Sequence, residues 1–350
     1  MASITFDPAL DALFVPFATG ALAWPAGPVL FLRAREGAAM RRFPLAQLVC
    51  EQSFKPFADG LGRGSLQVVA DASSSGSRYP LVLVLPSRQR EEARALLARA
   101  LSLAAPGGIV VASIANNEGA KSGQADLERL AGIGGGVTKH HCRTFWTPPL
   151  DGTHDASLQA RWLALDAPRA ILDGRFRSRP GLFAWDRIDP ASALLAQHLP
   201  ADLAGIGADL GAGYGYLSAE VLARCQGVST MHLYEAEARA LELARHNLRE
   251  AGAALDCRWH DVTTGLPQRY DFIVSNPPFH TQSRADRPDI GRRFIAVAAE
   301  ALKPSGRLYL VANRHLPYEQ TLDASFGQVR VLAERDGFKA IEALKAPARR

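Results

Sequence analysis

The C-terminal half of the sequence alternates short apolar segments with segments that repeat apolar residues at helical spacing. In chain order, the predicted strands and helices are Leu203–Leu210, Leu217–Arg224, Thr230–Tyr234, Ala238–Ala251, Asp271–Ser275, Phe294–Leu302 and Arg307–Ala312. Strands that alternate with helices of this length favour a mostly parallel sheet with helices on both faces. The pattern therefore predicts an α/β fold of the doubly wound, Rossmann-like type.

The N-terminal half carries a fainter copy of the same pattern. Tyr79–Ser87 (YPLVLVLPS) compares with Tyr270–Pro278 (YDFIVSNPP), and Ala105–Asn117 compares with Lys303–Arg314. We interpret the two halves as an internal duplication, and the alternative is the general likeness of any two α/β segments. The first copy reads LPSR where the second reads NPPF. We therefore expect two tandem domains, of which the N-terminal one is degenerate and has lost its chemistry.

Length and composition set the outer bounds. The 350 residues are sufficient for two domains, which we place at 1–179 and 180–350. The net charge of +5 fits an acidic partner such as nucleic acid, and it fits equally well a basic enzyme without one. The four cysteines lack zinc-type spacing, and no signal peptide or long apolar run is evident. We therefore expect a cytoplasmic protein with no metal and no membrane segment.

A glycine-rich segment, Asp209–Gly215 (DLGAGYG), joins the first predicted strand to the next helix. Glycines allow a ligand to lie against bare backbone, and open α/β sheets bind ligands at the carboxyl ends of their strands. The G-x-G-x-G spacing departs from the G-x-G-x-x-G of pyrophosphate loops. The neighbouring carboxylate would attract an ammonium group and repel a phosphate. These features favour S-adenosylmethionine (SAM), which carries an ammonium and a sulfonium, at Asp209, Gly211, Gly213 and Gly215.

Two further acids have positions that suit this cofactor. Glu235 follows Gly213 by 22 residues and ends the second predicted strand. A carboxylate about 20 residues beyond a glycine loop commonly accepts hydrogen bonds from ribose hydroxyls. Asp261 ends another segment, from which it could face the adenine, although either acid alone would more often be a solvated surface group. Asp59–Gly64 (DGLGRG) has similar letters but no preceding strand, so we predict that it is not a cofactor loop.

The strongest local signal is the tetrapeptide Asn276-Pro277-Pro278-Phe279, which follows the apolar strand DFIV. Its prolines remove N–H donors, which leaves the Asn276 side-chain oxygen and the Pro277 carbonyl as acceptors. Together they could bind both protons of an NH2 group, aim its nitrogen at a methyl donor and stabilise the charge that develops. Phe279 offers a flat face on which a base can stack. We therefore predict Asn276, Pro277 and Phe279 as catalytic residues; the alternative is a proline-rich turn that merely ends a strand.

Together these motifs resemble class I SAM-dependent methyltransferases. Ser178–Pro200, Ser275–His280 and Gly306–Tyr318 also resemble bacterial ribosomal RNA guanine-N2 methyltransferases of the RsmC and RlmG type, and Asn116–Ser122 is similar to their N-terminal domain. In that family a duplicated N-terminal domain has lost the cofactor site. The resemblance implies that SAM contacts the residues Asp209, Gly211, Gly213, Glu235, Asp261 and Asn276. It also implies that Asn276, Pro277 and Phe279 hold a guanine.

The resemblance further implies a function. The C-terminal domain would transfer a methyl group from SAM to the exocyclic N2 of a guanine in ribosomal RNA, with 16S favoured over 23S. The N-terminal domain would have no cofactor site and would help to bind RNA or support its neighbour. The expected partner is ribosomal RNA or a ribosomal subunit, and the expected state is a monomer. The choice of guanine, and of naked RNA or an assembled particle, stays open.

Four arginines follow the tetrapeptide and are candidates for RNA contacts: Arg284, Arg287, Arg292 and Arg293. They could meet phosphates as RNA enters the site, and the alternative is an ordinary solvated face. Two other functions also stay open at this point. One is an amino-group methyltransferase that acts on adenine N6 or a protein glutamine. The other is a non-catalytic RNA-binding or ribosome assembly factor.

Overall fold

The computed structural model describes residues 6–278 and 288–347. The chain forms two compact units, Met1–Pro168 with Arg179–Gly181, and Arg169–Ser178 with Leu182–Arg350. The predicted domain boundary between residues 179 and 180 lies within the stretch where the chain passes between these two units. We call them the N-terminal unit and the C-terminal unit.

The N-terminal unit contains a seven-stranded sheet flanked by helices. Its strands are β1 (Val29–Leu32), β2 (Leu48–Glu51), β3 (Gln67–Val69), β4 (Tyr79–Val84), β5 (Ala104–Ala115), β6 (Gly135–Lys139) and β7 (Cys142–Trp146). Its helices are α1 (Pro8–Leu13), α2 (Val15–Ala18), α3 (Lys55–Arg63), α4 (Arg90–Leu103), α5 (Ala120–Ala131) and α6 (Ala156–Leu163). The segment DGLGRG lies within α3 and its C-terminal cap, which agrees with the prediction that it is not a cofactor loop.

The C-terminal unit contains a second seven-stranded sheet and a small two-stranded one. Its strands are β8 (Arg169–Ile171), β9 (Phe176–Ser178), β10 (Ala204–Leu210), β11 (Gly227–Glu235), β12 (Ala254–Trp259), β13 (Tyr270–Ser275), β14 (Leu302–Asn313), β15 (Gln328–Arg335) and β16 (Phe338–Leu344). Its helices are α7 (Pro190–Gln197), α8 (Tyr216–Arg224), α9 (Ala238–Asn247), α10 (Pro288–Ala301) and α11 (Glu319–Ser325). Each of the predicted strands and helices of this half is found, although α9 ends at Asn247 rather than at Ala251.

The two large sheets have the same strand order. It is β3-β2-β1-β4-β5-β7-β6 in the N-terminal unit and β12-β11-β10-β13-β14-β16-β15 in the C-terminal unit. In both sheets the first five strands of this order run parallel, and the last two pairings are antiparallel. The predicted fold class, two tandem Rossmann-like domains, is therefore confirmed.

The duplication extends to pairing register and burial. β5 and β14 each have 12 residues and the same sequence of buried and exposed positions. The register with the preceding strand shifts at matching places, between Tyr79 and Leu81 in one unit and between Tyr270 and Phe272 in the other. A shared fold alone does not require such coincidences, so they support a common origin for the two halves.

Side chains of the second large sheet alternate between two hydrophobic layers. Phe272 and Val274 of β13 pack in the layer that includes α7 and α8, whereas Ile273 packs in the layer that includes Val297 of α10. Because both faces are covered, the central strands are almost continuously apolar. This layering fixes the carboxyl ends of β10, β11 and β13, where polar segments follow.

The residues described contain neither a membrane-spanning helix nor a cluster of metal ligands. No helix among them is long and apolar enough to span a bilayer. Within the same residues, no group of three or more His, Cys, Asp or Glu side chains is arranged to hold a metal ion.

Replacing Gly207 by alanine should destabilise the C-terminal unit. An ideal Cβ at Gly207 would overlap the ring of the buried Phe272, so the ring or the strand must shift. We expect Gly207→Ala to lower the free energy of unfolding by ~1–3 kcal/mol, as for other overpacked cores, in urea titrations. Gly252→Ala is the matched control, because an added Cβ there meets no described atom within 4 Å. Equal losses in the two variants would contradict the account.

Candidate active site

The glycine loop bends sharply as it leaves β10. The N–H groups of Gly211 and Ala212 both donate to the carbonyl oxygen of Tyr234, at 2.8 and 3.1 Å. Gly211, Gly213 and Gly215 have φ angles of 76°, 55° and 94°. L side chains rarely adopt such angles, so glycine is favoured at these positions. An added Cβ at Gly213 would meet no described atom within 4 Å, so the loop borders open space.

Glu235 ends β11 beside this loop. Its Oε2 accepts a hydrogen bond from the N–H of Gly213 at 2.7 Å, and its Oε1 accepts one from the N–H of Glu237 at 2.8 Å. Burial raises the pKa of the Glu235 carboxyl, and the hydrogen bonds from these N–H groups oppose the rise. Each carboxylate oxygen keeps a second acceptor position, so the pair can still accept hydroxyl donors at the loop.

Asp209 lies at the base of the loop and is fully buried. Its Oδ2 accepts a hydrogen bond from Ser218 Oγ of α8 at 2.7 Å. Its Oδ1 is buried and has no hydrogen-bond partner within the described part of the chain. Burial raises the pKa of the Asp209 carboxyl to about 7, the Ser218 hydrogen bond opposes this, and the nearby Glu235 carboxylate adds to it. The Asp209 carboxyl therefore titrates close to neutral pH.

Asp261 follows β12 and caps a short 3-10 helix, Val262–Thr264. Its Oδ1 accepts hydrogen bonds from the backbone N–H of Thr263 at 2.9 Å and from its Oγ1 at 2.7 Å. The adjacent His260 donates its N–H to the carbonyl of Glu235 at 3.0 Å. The loop, Glu235 and Asp261 thus follow three neighbouring strands at one edge of the sheet, as the sequence predicts.

The tetrapeptide begins beside the glycine loop. Strands β10 and β13 pair in parallel with Leu210 opposite Ser275, and Ser275 Oγ donates to the Leu210 carbonyl at 2.7 Å. An ideal Cβ at Gly211 would lie 3.9 Å from the backbone oxygen of Asn276. The two signatures therefore adjoin in space, although 65 residues separate Leu210 from Ser275.

The side chain of Asn276 has a defined set of partners. Its Nδ2 donates to Asp189 Oδ2 at 2.9 Å and to Ser192 Oγ at 2.8 Å. Its Oδ1 is buried and unpaired within the described residues. Pro277 is buried and Pro278 is exposed. The Asn276 side chain therefore leaves a free acceptor next to the glycine loop.

The contacts that Asp189 and Ser192 make with Asn276 are not predicted from the sequence. These residues begin α7, where Asp189 is the N-cap and accepts from the N–H of Ser192 at 2.8 Å. The Asp-Pro pair at 189–190 is a recognisable helix-start signal, but it carries no information about Asn276, which is 87 residues away. A second contact joins this region to the loop, because Tyr214 Oη donates to the Arg187 carbonyl at 3.1 Å.

Several predicted residues lie outside the described residues: Phe279, Arg284 and Arg287. Of the other two candidate RNA contacts, Arg292 is exposed on α10. Arg293 is engaged within the unit, since its Nε donates to the Thr263 carbonyl at 2.9 Å and its Nη1 lies 3.2 Å from Glu300. Of these two arginines, Arg292 is therefore the more accessible to a phosphate group.

The corresponding loop of the N-terminal unit is built differently. Val29 pairs with Leu81 in the N-terminal sheet as Gly207 pairs with Phe272 in the C-terminal sheet, so Val29 and Gly207 are equivalent positions. Arg33 and Gly211 each follow four residues later, and Arg33 therefore takes the place of Gly211. Arg33 keeps a positive φ of 55°.

Two ion pairs hold this loop: Arg33 Nη1 lies 2.9 Å from Glu92 Oε1, and Arg35 Nη1 lies 2.9 Å from Asp7 Oδ2. Gln52 stands where the C-terminal unit has Glu235, and its Nε2 donates to the Ala34 carbonyl at 2.6 Å. Charged side chains therefore occupy the loop that is bare glycine in the other unit.

Comparison with known proteins finds related methyltransferases. The family described as Methyltransferase small domain matches residues 173–342. The chain is similar to ribosomal RNA small subunit methyltransferase C of Sodalis glossinidius, with 30% identity over 300 residues that cover 82% of this chain and 80% of that protein. The protein of the same description from Pseudomonas aeruginosa (strain UCBPP-PA14) is 38% identical over 178 residues, which span 50% of this chain and 53% of that one.

A solved structure shares the fold of both units. It is the T. thermophilus 16S rRNA N2 methyltransferase (RsmC) in complex with AdoMet and guanosine, which is 23% identical in sequence. Its TM-score is 0.78, and the match covers 97% of this chain and 92% of that chain. The predicted resemblance is confirmed by the extent and identity of the Sodalis match: the chain belongs to the ribosomal RNA small subunit methyltransferase C family.

Proposed function

We propose that the C-terminal unit transfers a methyl group from SAM to the exocyclic N2 of a guanine in 16S ribosomal RNA. The observation that carries the proposal is the buried, unpaired Oδ1 of Asn276 beside a glycine loop that borders open space. A buried acceptor without a partner costs about 1–3 kcal/mol, which a bound amino group would relieve. The small-subunit description of the relatives favours 16S over 23S RNA.

The residues around the loop fit SAM. The unpaired Asp209 Oδ1 supplies negative charge for the ammonium, and Glu235 has acceptor positions left for the ribose hydroxyls. Asp261 lies at the next strand end, where the adenine amino group would face it. The bare backbone of Gly211 and Gly213 lets the ligand approach closely, whereas an added Cβ at Gly215 would meet Leu248 and Ala244 at the end of α9, so this glycine serves the bend of the loop. SAM, when bound, supplies an electrophilic methyl group on its sulfonium.

The chain's own contribution at the target is orientation and charge stabilisation. Asn276 Oδ1 and the Pro277 carbonyl would accept the two protons of the guanine amino group, which directs the nitrogen lone pair towards the cofactor. As the nitrogen becomes positive, both acceptors bind its protons more strongly, which lowers the barrier. Phe279 would stack on the extruded base. The proton that the amino group loses passes to solvent water.

The RNA contacts of the proposal involve both units. Arg284, Arg287, Arg292 and Arg293 would meet phosphates near the target nucleotide, with Arg293 exchanging its present partners. The N-terminal unit would bind no SAM, because Arg33 and its ion pair occupy the loop. It would instead help to bind RNA or support the catalytic unit. We further infer a monomeric protein that works in the cytoplasm, where ribosomal RNA is its substrate.

A methylation assay tests the proposed function. The purified chain is incubated with radiolabelled SAM and, in turn, naked 16S RNA, small subunits, 23S RNA, DNA and a release factor. Mass mapping of the labelled RNA should find N2-methylguanine at one position of 16S RNA. Label on adenine N6 or on a protein glutamine would contradict the proposal, and so would the absence of transfer to every substrate.

Removing the Asn276 side chain should separate chemistry from cofactor binding. We expect Asn276→Ala to lower kcat by about 10²–10³-fold, the usual loss for a transition-state hydrogen-bonding group. The SAM dissociation constant from calorimetry should change little, because Asn276 is one expected SAM contact among several, and the loop, Glu235 and Asp261 remain. Unchanged turnover in this variant would refute the role assigned to Asn276.

Glu235 and its counterpart Gln52 form a matched pair for SAM binding. We expect Glu235→Ala to weaken SAM binding at least about tenfold, since two charge-assisted hydrogen bonds are lost. Gln52→Ala should leave both the affinity and a stoichiometry of one SAM per chain unchanged, as measured by calorimetry. A loss of affinity with Gln52→Ala, or two SAM molecules per chain, would show that the N-terminal unit binds the cofactor.

SAM binding should depend on pH through Asp209. Its pKa of about 7 leaves the carboxyl mostly protonated below neutral pH, and an ammonium favours the ionised form. Affinity should therefore rise with pH, by about tenfold between about pH 6 and pH 8. Asp209→Asn should abolish this rise, whereas a rise caused by titration of the neighbouring Glu235 would persist in that variant. A wild-type affinity that is flat over this range would exclude contact between Asp209 and the ammonium.

A further inference from the structure

We propose that Asp189 is a positioning residue that fixes which end of the Asn276 amide faces the substrate. The contacts that carry this are the two hydrogen bonds of Asn276 Nδ2, to Asp189 Oδ2 at 2.9 Å and to Ser192 Oγ at 2.8 Å. The inference rests on the proposed function, in which Asn276 must accept a hydrogen bond from the target amino group.

An asparagine side chain can present either an acceptor or a donor, because its two ends have nearly the same shape. A carboxylate can only accept. If the Asn276 amide were flipped, its oxygen would face Asp189 Oδ2 and the two acceptors would repel each other. Asp189 therefore holds Nδ2 on its own side and turns Oδ1 away from α7.

The two hydrogen bonds also use both donors of the amide. One N–H of Nδ2 goes to Asp189 and the other to Ser192, so no donor is left for a ligand. The only free atom is Oδ1, which is buried and unpaired among the described residues. Asn276 can thus bind a group that donates, such as an amino group, and it disfavours a carbonyl or an unprotonated ring nitrogen in the same place. The Asp189 contact therefore contributes to the choice of the reacting atom.

Asp189 itself is anchored at the start of a helix. It is the N-cap of α7, accepts from the N–H of Ser192 at 2.8 Å and is followed by Pro190. The helix buries Leu194 and Leu195, among others, against the sheet. A helix end that is packed in this way can orient a side chain more precisely than a surface loop can.

In the N-terminal unit, an aspartate caps the equivalent helix without orienting an asparagine side chain. Asp7 caps α1 in the same way, with Pro8 after it, and accepts from the N–H of Leu10 at 3.1 Å. The residue that corresponds to Asn276 is Leu85, which has no side-chain amide to orient. Asp7 instead forms an ion pair with Arg35. An acid at this helix start therefore has a partner amide only in the unit that has the glycine loop.

The test is an exchange of the two side chains. We compare the wild-type chain, Asp189→Asn, Asn276→Asp and the double variant, and measure kcat, KM for RNA and SAM affinity. Asp189→Asn allows either end of Asn276 to face the substrate, so kcat should fall by about 10-fold or more with SAM affinity within about twofold. Asn276→Asp should be worse, because two carboxylates then face each other.

In the double variant the amide at position 189 donates to the carboxylate at position 276. The second carboxylate oxygen is then left as the acceptor for the amino group. We expect kcat to recover at least about tenfold over Asn276→Asp alone, a coupling that independent structural defects would not produce. No recovery, or a kcat for Asp189→Asn equal to wild type, would overturn the proposal.

Two controls complete the design. Asp7→Asn makes the same change at the matching helix cap and should leave kcat unchanged; an equal loss there would assign the Asp189 effect to capping and overturn the proposal. Ser192→Ala removes the second acceptor only and should lower kcat less than Asp189→Asn does. Failure of the proposed function is recognised separately, because the wild-type chain would then methylate no guanine amino group.

Discussion

The pairing of β10 with β13 is the constraint on which the site depends. It places Leu210 opposite Ser275, so the glycine loop and the tetrapeptide leave the sheet side by side. The Ser275 hydroxyl, bonded to the Leu210 carbonyl at 2.7 Å, ties the two strand ends together. A one-residue slip between these strands would move every side chain to the opposite hydrophobic layer and disrupt the packing of both layers. The core thus determines how close the glycine loop and the tetrapeptide can be.

The same architecture occurs twice in the chain, and only one copy keeps the site. Strand order agrees between the units, and so do the register shift that precedes β5 and β14 and the burial pattern of these two strands. The differences are concentrated at the strand ends, where Arg33 replaces a glycine and Leu85 stands in place of Asn276. Fold and chemistry therefore depend on different residues: the buried faces of the strands preserve the sheet, while a few polar positions at one edge decide what it can bind.

The sequence was sufficient to predict the fold class, the order of elements in the C-terminal half and the adjacency of the two motifs. These follow from apolar periodicity and from the rule that parallel strands end at one edge. The contact between Asp189 and Asn276 could not be predicted in this way, because a helix cap reveals only that a helix begins. Likewise, the positive charge of Arg293 predicts a contact with RNA, and only the structure shows its hydrogen bonds to the Thr263 carbonyl and to Glu300. Long-range polar partners depend on tertiary packing that no local pattern encodes.

The central claim is that one cleft holds the methyl donor and a guanine amino group against Asn276. A crystal structure of the chain with S-adenosylhomocysteine and guanosine tests it most directly. The account predicts the homocysteine product on the loop of residues 209–215, with guanine N2 within hydrogen-bonding distance of Asn276 Oδ1 while Nδ2 stays on Asp189. A guanosine bound elsewhere, or an Asn276 amide turned to donate to the base, would contradict it.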